Sequence, residues 1–479
     1  MKNLNYLKRI SLVILAIFTL SACSDDDNPT TPPPTPKNIV EIALETPELT
    51  ALVAALQAAD GNLVDVLQGP GPFTVLAPTN AAFTAFLNDK GFSGLDDVPT
   101  DVLAQILLNH VIMADVKAGD LIASGAGYAS GSSTNSNGDA ISIYFEAPSA
   151  DNVRFNNAGK VTAADISASN GTIHIIDAVL DLPDVVDHAI NNPTAFSSLV
   201  TALGAADGDL VNVLRGAGPF TVLAPDNAAF STFLDGADLG SVDTAVLSQI
   251  LLNHVISGSL KAEDLVALGA GYAKTSATGP GDNPIDLYFN TSSGVTFNGI
   301  SSVFQADVVG TNGVIHAIDA VIGIPTVVTF VAADPNFSTL LTALTTSTPA
   351  TPFEEILART EVGSPADGIN PDFTVFAPTN DAFGKLESIP GETVLTQVLL
   401  HHVISEANVT SGMLTNPGDT SPTMLNGQMI TITLPGTSPN IADVKDGAGN
   451  EGIGIIKVDV QAGNGVIHVL DTVLLPALP

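Results

Sequence analysis

The chain has 479 residues, 45% of them hydrophobic and 14% charged, with no Trp and a single Cys. Fifty acidic residues against fifteen basic ones give a formal net charge of −35. A surface that acidic repels nucleic acid and anionic membranes, and one cysteine excludes an internal disulfide framework.

At the N-terminus, Lys2, Lys8 and Arg9 precede an apolar run from Ile10 to Leu20, too short to span a bilayer and followed by the small residues of "LSAC". Residues 1–22 therefore read as a signal peptide. Leu20–Cys23 resembles a bacterial lipobox, which makes Cys23 the expected site of lipid attachment; the alternative is an ordinary secretory signal with a chance cysteine. Residues 23–37, "CSDDDNPTTPPPTPK", have no apolar surface to bury and read as an extended stalk. Its Asp25, Asp26 and Asp27 resemble a surface-export tag of Gram-negative lipoproteins, or form a merely solvated linker.

From Asn38 onward the sequence repeats itself. "GPFTVLAPTNAAF" (71–83), "GPFTVLAPDNAAF" (218–230) and "PDFTVFAPTNDAF" (371–383) recur at intervals of about 150 residues, the size of a whole domain rather than of a solenoid repeat. Three domains are expected, at 38–183, 184–326 and 327–479. Each opens with an amphipathic helix; in the first, Leu49, Leu52, Val53 and Leu56 share a face. "FTVLA" (73–77) reads as a strand covered on both sides and ended by Pro78. Thr79, Asp226 and Thr379 then stand where an N-cap is wanted, since either side chain accepts from the next turn's N–H groups.

A second helix is expected over Val102–Ile112, Val246–Ile256 and Val394–Ile404, with Leu103, Ile106, Leu107 and His110 on one face. Short alternating strands such as "ISIYFEA" and "IDLYFNT" follow. Each repeat closes on "NG" before an apolar run, a hairpin signal, since both residues accept positive φ. The third repeat carries an insertion between Thr345 and Asn370 and lacks the "GAGY" of Gly125–Tyr128 and Gly269–Tyr272.

In that order and separation, "FTVLAPTNAAF", "LLNHV" and "NGVIHxID" resemble the fasciclin domain, three times over about residues 38–479. The resemblance implies an α+β fold: three tandem wedges, each a seven-stranded β-sandwich with helices packed on one side. It also implies extracellular or surface-anchored proteins associated with cell adhesion and matrix contact, some members binding apolar pigments. Two places linked to family adhesion map here. A Tyr-His pair falls on Asn109-His110, Asn253-His254 and His401-His402, where this chain keeps the His and loses the Tyr. An Asp-aliphatic pair falls on Asp165-Ile166, Asp307-Val308 and Asp459-Val460; the residues before it do not match integrin-associated versions.

His110, His174, His254, His316, His402 and His468 recur two per repeat. A histidine within an aliphatic stripe lacks the carboxylate or cysteine partners of a metal site, so it reads as fixing helix against strand through backbone groups. His174 and Asp177 lie three apart on a strand and leave opposite faces. No nucleophile elbow, P-loop, zinc-protease helix, dinucleotide loop or EF-hand loop is found, so no catalytic residue, metal or cofactor is expected. The expected function is non-enzymatic: an adhesion or extracellular-matrix interaction protein of the cell envelope, lipid-anchored to the outer membrane and surface-exposed. Its expected partner is a protein or matrix glycan, and its only membrane contact the lipid anchor. The alternative is a binder of an apolar small molecule, lipid or pigment.

Overall fold

The computed structural model describes residues 35–478; the leader, Cys23 and the stalk as far as Pro34 lie outside the described residues. Three modules follow one another, each built from the same run of elements. In module 1, helices α1 (Ile39–Glu45), α2 (Thr50–Ala58) and α3 (Leu63–Gln68) lead into strand β1 (Phe73–Pro78). Helices α4 (Asn80–Lys90) and α5 (Thr100–Leu108), strand β2 (Val111–Ile112) and helix α6 (Ala118–Ser124) come next. Strands β3 (Ala126–Thr134), β4 (Ala140–Ser149), β5 (Asn152–Phe155), β6 (Gly159–Ala168) and β7 (Gly171–Ile176) finish the module.

Strand β1 pairs antiparallel with β2 and parallel with β7, from Phe73↔Gly171 to Pro78↔Ile176. In modules 1 and 2 pairing continues through all seven strands and closes into a barrel, so the two layers share their edges. In module 3 the same order of strands stays an open sheet. The strand standing where β3 would be has shrunk to Gly418–Thr420, and in place of a ladder to Val403–Ile404 the loop beyond it gives the Leu425 N–H to Val403 O bond. The fold class is α+β, in three tandem units.

Two cores flank β1. Phe73, Val75 and Ala77 pack into a cluster with α1, α2, α3 and α5, while Leu76 enters a second cluster inside the barrel with Ile143, Phe145 and Phe155. That is the two-sided burial expected of this strand, and it extends to Thr74, whose hydroxyl donates to Ala114 O and accepts from Val116 N–H. Thr79, Asp226 and Thr379 cap the next helix by accepting from Ala82, Ala229 and Ala382 N–H at 3.2, 2.7 and 3.2 Å. The neighbouring Asn80 accepts from Ala51 N–H and donates to Pro47 O, tying that helix start to α2.

One expected element is corrected. The helix over 102–112 stops at Leu108; Asn109 and His110 form a turn, and Val111–Ile112 is already strand β2. His110 Nδ1–H reaches back to Ile106 O at 2.7 Å and satisfies one of the carbonyls left open at the helix end. An apolar stripe continuous across a helix–strand junction carries no mark of where the period changes.

Candidate functional site

The aspartates of the Asp-aliphatic pairs sit in the same backbone device in every module. Pairing of β6 with β7 slips between Ala163 and Ile166, and the equivalent slips lie between Gln305 and Val308 and between Lys457 and Val460. Asp165, Asp307 and Asp459 occupy these bulges with φ of 57°, 59° and 59°, a left-handed conformation for which Asp is among the better-suited non-glycine residues. Each carboxylate Oδ1 accepts a backbone N–H at the start of a short helical turn lying earlier in the same module: Ala118 at 2.9 Å, Ala262 at 2.9 Å and Ser411 at 2.7 Å. The aliphatic partners turn inward: Val308 and Val460 are buried and Ile166 packs against the core. Asp165 remains exposed, while Asp307 and Asp459 are half-buried.

The strand histidines lie beside these bulges, which sequence reasoning did not foresee. Asp165 N–H donates to His174 Nδ1 at 3.3 Å, and Asp307 N–H donates to His316 Nδ1 at 3.4 Å. The other ring nitrogen donates to Val116 O, Leu260 O or Val409 O at 2.8–2.9 Å. Burial pushes the His316 and His468 imidazoles below their ordinary range, with the carboxylates of Asp307 and Asp459 acting weakly in the opposite sense. Asp177 points elsewhere, accepting Lys160 N–H at 2.7 Å.

His110, His254 and His402 are placed differently. Each is at most 2% exposed. Each donates through Nδ1 to a carbonyl four residues earlier and accepts through Nε2 a backbone N–H of Leu180, Ile322 or Leu474 at 2.8–2.9 Å. Desolvation lowers each pKa to about 4, so these rings are neutral at physiological pH with both nitrogens committed. Position 109 and its equivalents are equally interior: Asn109 and Asn253 bond backbone carbonyls, and His401 bonds Asn426 and Gly447.

Five of these six rings have both nitrogens engaged, while His468 keeps a buried Nδ1 without a partner; the described residues contain no group of three or more His, Cys, Asp or Glu placed to hold a metal. The apolar cavities beside His254 and His402 measure about 20 Å3 each and a comparable one in module 1 about 50 Å3, room for one or two waters.

Two features with clear roles escaped sequence reasoning. Asn170, read as half of a turn, donates to Leu67 O and Gly69 O and accepts from Ile39 N–H, stapling α1 and α3 to the closing hairpin. Asn312 and Asn464 repeat all three bonds. The tyrosines of "GAGY" mark the junctions between modules: Tyr128 meets His188 and Tyr272 meets Phe330, edge to face, at 5.8 and 5.5 Å. The signal was available, since the motif occurs only in the two repeats that have a successor.

The fasciclin domain family model matches residues 47–183, 194–325 and 335–476. The chain belongs to the fasciclin domain family, as three tandem domains. It is 28% identical to human periostin over 433 residues, covering 88% of this chain and 45% of periostin. It is 27% identical to the transforming growth factor-beta-induced protein ig-h3 of Sus scrofa, covering 92% of this chain and 57% of that one. The chain thus spans about half the length of these relatives. Protein sll1483 of Synechocystis is 39% identical over 142 residues, 30% of this chain and 72% of that protein. A solved FAS1 domain pair from the insect cell adhesion molecule fasciclin I aligns with 56% of this chain and 94% of its own, at 17% identity and a TM-score of 0.35.

Proposed function

We propose that this is a non-enzymatic adhesion protein of the cell surface, held by acylated Cys23 and contacting a protein or matrix glycan through its three modules. One observation carries the reading: three copies of a carboxylate held in a left-handed bulge on a rigid scaffold, at the positions the family associates with adhesion. Weak contacts multiplied on one chain raise avidity without any tight single site. The buried histidines serve this surface from within, by fixing the helix layer to the strands, and the small size of the apolar cavities gives the lipid- or pigment-binding alternative no support. The domain limits 38–183, 184–326 and 327–479, the leader 1–22 and the stalk 23–37 are part of this proposal.

The test compares attachment of intact cells lacking the gene, complemented by wild type, by Cys23→Ala, and by the triple Asp165→Asn, Asp307→Asn, Asp459→Asn variant. Asparagine keeps the helix-start hydrogen bond and removes the charge. Attachment restored by wild type alone, with the triple variant present at the surface at equal level, is the expected result. No attachment defect in the deletion sinks the adhesion reading; full rescue by the triple variant removes the aspartates from it.

A further inference from the structure

Both junctions between modules are built on one plan. A hairpin of the preceding module, β3–β4 or its equivalent Ala270–Thr278 and Pro284–Asn290, docks on a face made by the first helix and the bulged strand of the module that follows. At the first junction Val309 N–H donates to Ser142 Oγ at 3.0 Å, Lys261 pairs with Asp139 at 3.0 Å, and Asn135 in the hairpin loop donates to Gly310 O. At the second, Gln461 N–H donates to the Asp286 carboxylate at 2.6 Å and Tyr272 Oη donates to Asp334 at 2.9 Å. There the loop lies so close that a Cβ on Gly279 would come within 2.5 Å of Ala462 O.

Module 1 carries the same receiving face, and no hairpin among the described residues docks on it. Ser167 and Ala168 stand where Val309 and Gly310 stand, Ile42 takes the place of His188 and Phe330, and Lys117 is the counterpart of Lys261. Where the neighbour's loop would lie, an open cleft of about 460 Å3 runs between Pro70–Pro72, Lys117 and Ser167–Gly171. Lys117 meanwhile pairs inside its own module with Asp115 at 3.1 Å.

We propose that this face is an interaction surface for a β-hairpin of another protein, one bearing an aromatic pair on its strands and an acidic side chain in its loop. The chemistry of the hairpin is read from the two occupied faces: tyrosines against the helix, a hydroxyl or carboxylate accepting the strand N–H, and an acid for the lysine. A second copy of this chain does not supply it. The hairpins of modules 1 and 2 are already engaged. In module 3 the strand registers put Ser421 and Thr431, their hydroxyls 3.2 Å apart, where the tyrosine pair stands. Module 3 therefore has no hairpin of this chemistry to offer the module 1 face of another copy. This deepens the adhesion reading by naming a surface and a partner chemistry, yet its test is made on purified protein and does not depend on cell attachment.

The probe is a labelled peptide of residues 125–147, closed by a disulfide between added terminal cysteines and shown by NMR to form the hairpin before use. Ala147 N–H already donates to Gly125 O, so the ends meet. The expected result is one-to-one binding to the full chain, with amide exchange slowed at 160–172. Binding should weaken about ten-fold or more with Lys117→Glu or Ile42→Asp, and with a peptide carrying Tyr128→Ser and Tyr144→Ser. No binding at millimolar peptide overturns the proposal. So does protection confined to 303–313 or 455–465, or equal binding by the Lys117→Glu chain. Binding that emerges only once residues 24–34 are deleted assigns the face to the chain's own stalk, and a full-length chain that sediments as a dimer dissociated by Lys117→Glu assigns it to a second copy; either overturns it.

Discussion

His110, His254 and His402 are held neutral by burial, and that has a sign. Their folded pKa of about 4 lies below the ordinary 6.5, so the unfolded chain binds the proton more readily between those values. The stability each contributes is complete above pH 6.5 and is lost as pH falls toward 4, by about 1.4 kcal/mol per pH unit and per module. His254→Leu removes the titrating group but leaves Ile322 N–H and Ile250 O without partners, which should cost module 2 about 1–3 kcal/mol at pH 7. The penalty should shrink at pH 5, where the wild type has itself lost stability. Amide exchange in Gly313–Ile318 at the two pH values reads both numbers. A variant as pH-sensitive as the wild type would show that the ring is not the titrating group. Asn312→Ala should act on the same module at any pH, because three hydrogen bonds to Leu214 O, Gly216 O and Val185 N–H go with one side chain; a loss of about 2–4 kcal/mol is expected in the same exchange measurement.

At the scale of elements, the tightest constraint is the parallel contact between the first and last strands of a module. A Cβ on Gly313 would stand 2.2 Å from Phe220 O, and one on Gly171 1.9 Å from Phe73 O, both backbone atoms that cannot swing aside. Gly313→Ala should therefore open this pair and unfold module 2, a loss above about 3 kcal/mol. Gly240→Ala, with nothing within 4 Å, should stay within about 0.5 kcal/mol, and circular dichroism melting of the two variants separates them. This contact also shows what the sequence made legible. The strand, its stop and the N-cap at Thr79 follow from local chemistry and were readable. "NG" correctly announced a hairpin, but the loop is Ser169-Asn170, the asparagine is there to hold α1 and α3, and the glycine is there to let β1 approach. Those reasons lie about 100 residues away along the chain or more, where no local pattern reaches. The helix overrun at Val102–Ile112 failed for the opposite reason: local pattern existed on both sides of the boundary and did not change across it. The bulge and its aspartate were located by position, yet the meeting of Asp165 with His174 required the register slip, which sequence does not display.

For the whole molecule, the question is whether three modules act as beads on a string or as one body, and the junctions decide it. Domain contacts within a chain are by default modest and permit motion. Here the second junction combines the Tyr272–Phe330 edge contact, the Tyr272–Asp334 hydrogen bond, Lys274 bonded to both Asp286 and Asp459 O, and the Lys457 ammonium 4.1 Å over the Tyr272 ring. Three of these five contacts are made by the Tyr272 side chain and the other two by Lys274 on the same strand, so one truncation should release most of them. Tyr272→Ala leaves the module cores untouched, since the ring lies at their edge rather than within them. Burial and the neighbouring Asp334 carboxylate lift the Tyr272 hydroxyl well above its ordinary pKa, so it stays protonated as the donor of that hydrogen bond. The melting of each module should therefore be retained while the distance distribution between spin labels on modules 2 and 3 broadens. Tyr128→Ala should broaden the distribution between modules 1 and 2 and leave the other pair sharp. If both variants keep narrow distributions, rigidity comes from the backbone contacts at Val309 and Gln461 instead. If the wild type is already broad, the three aspartates are not presented at fixed spacing, and avidity must come from a flexible chain, whose effective concentration falls with the span it has to cover.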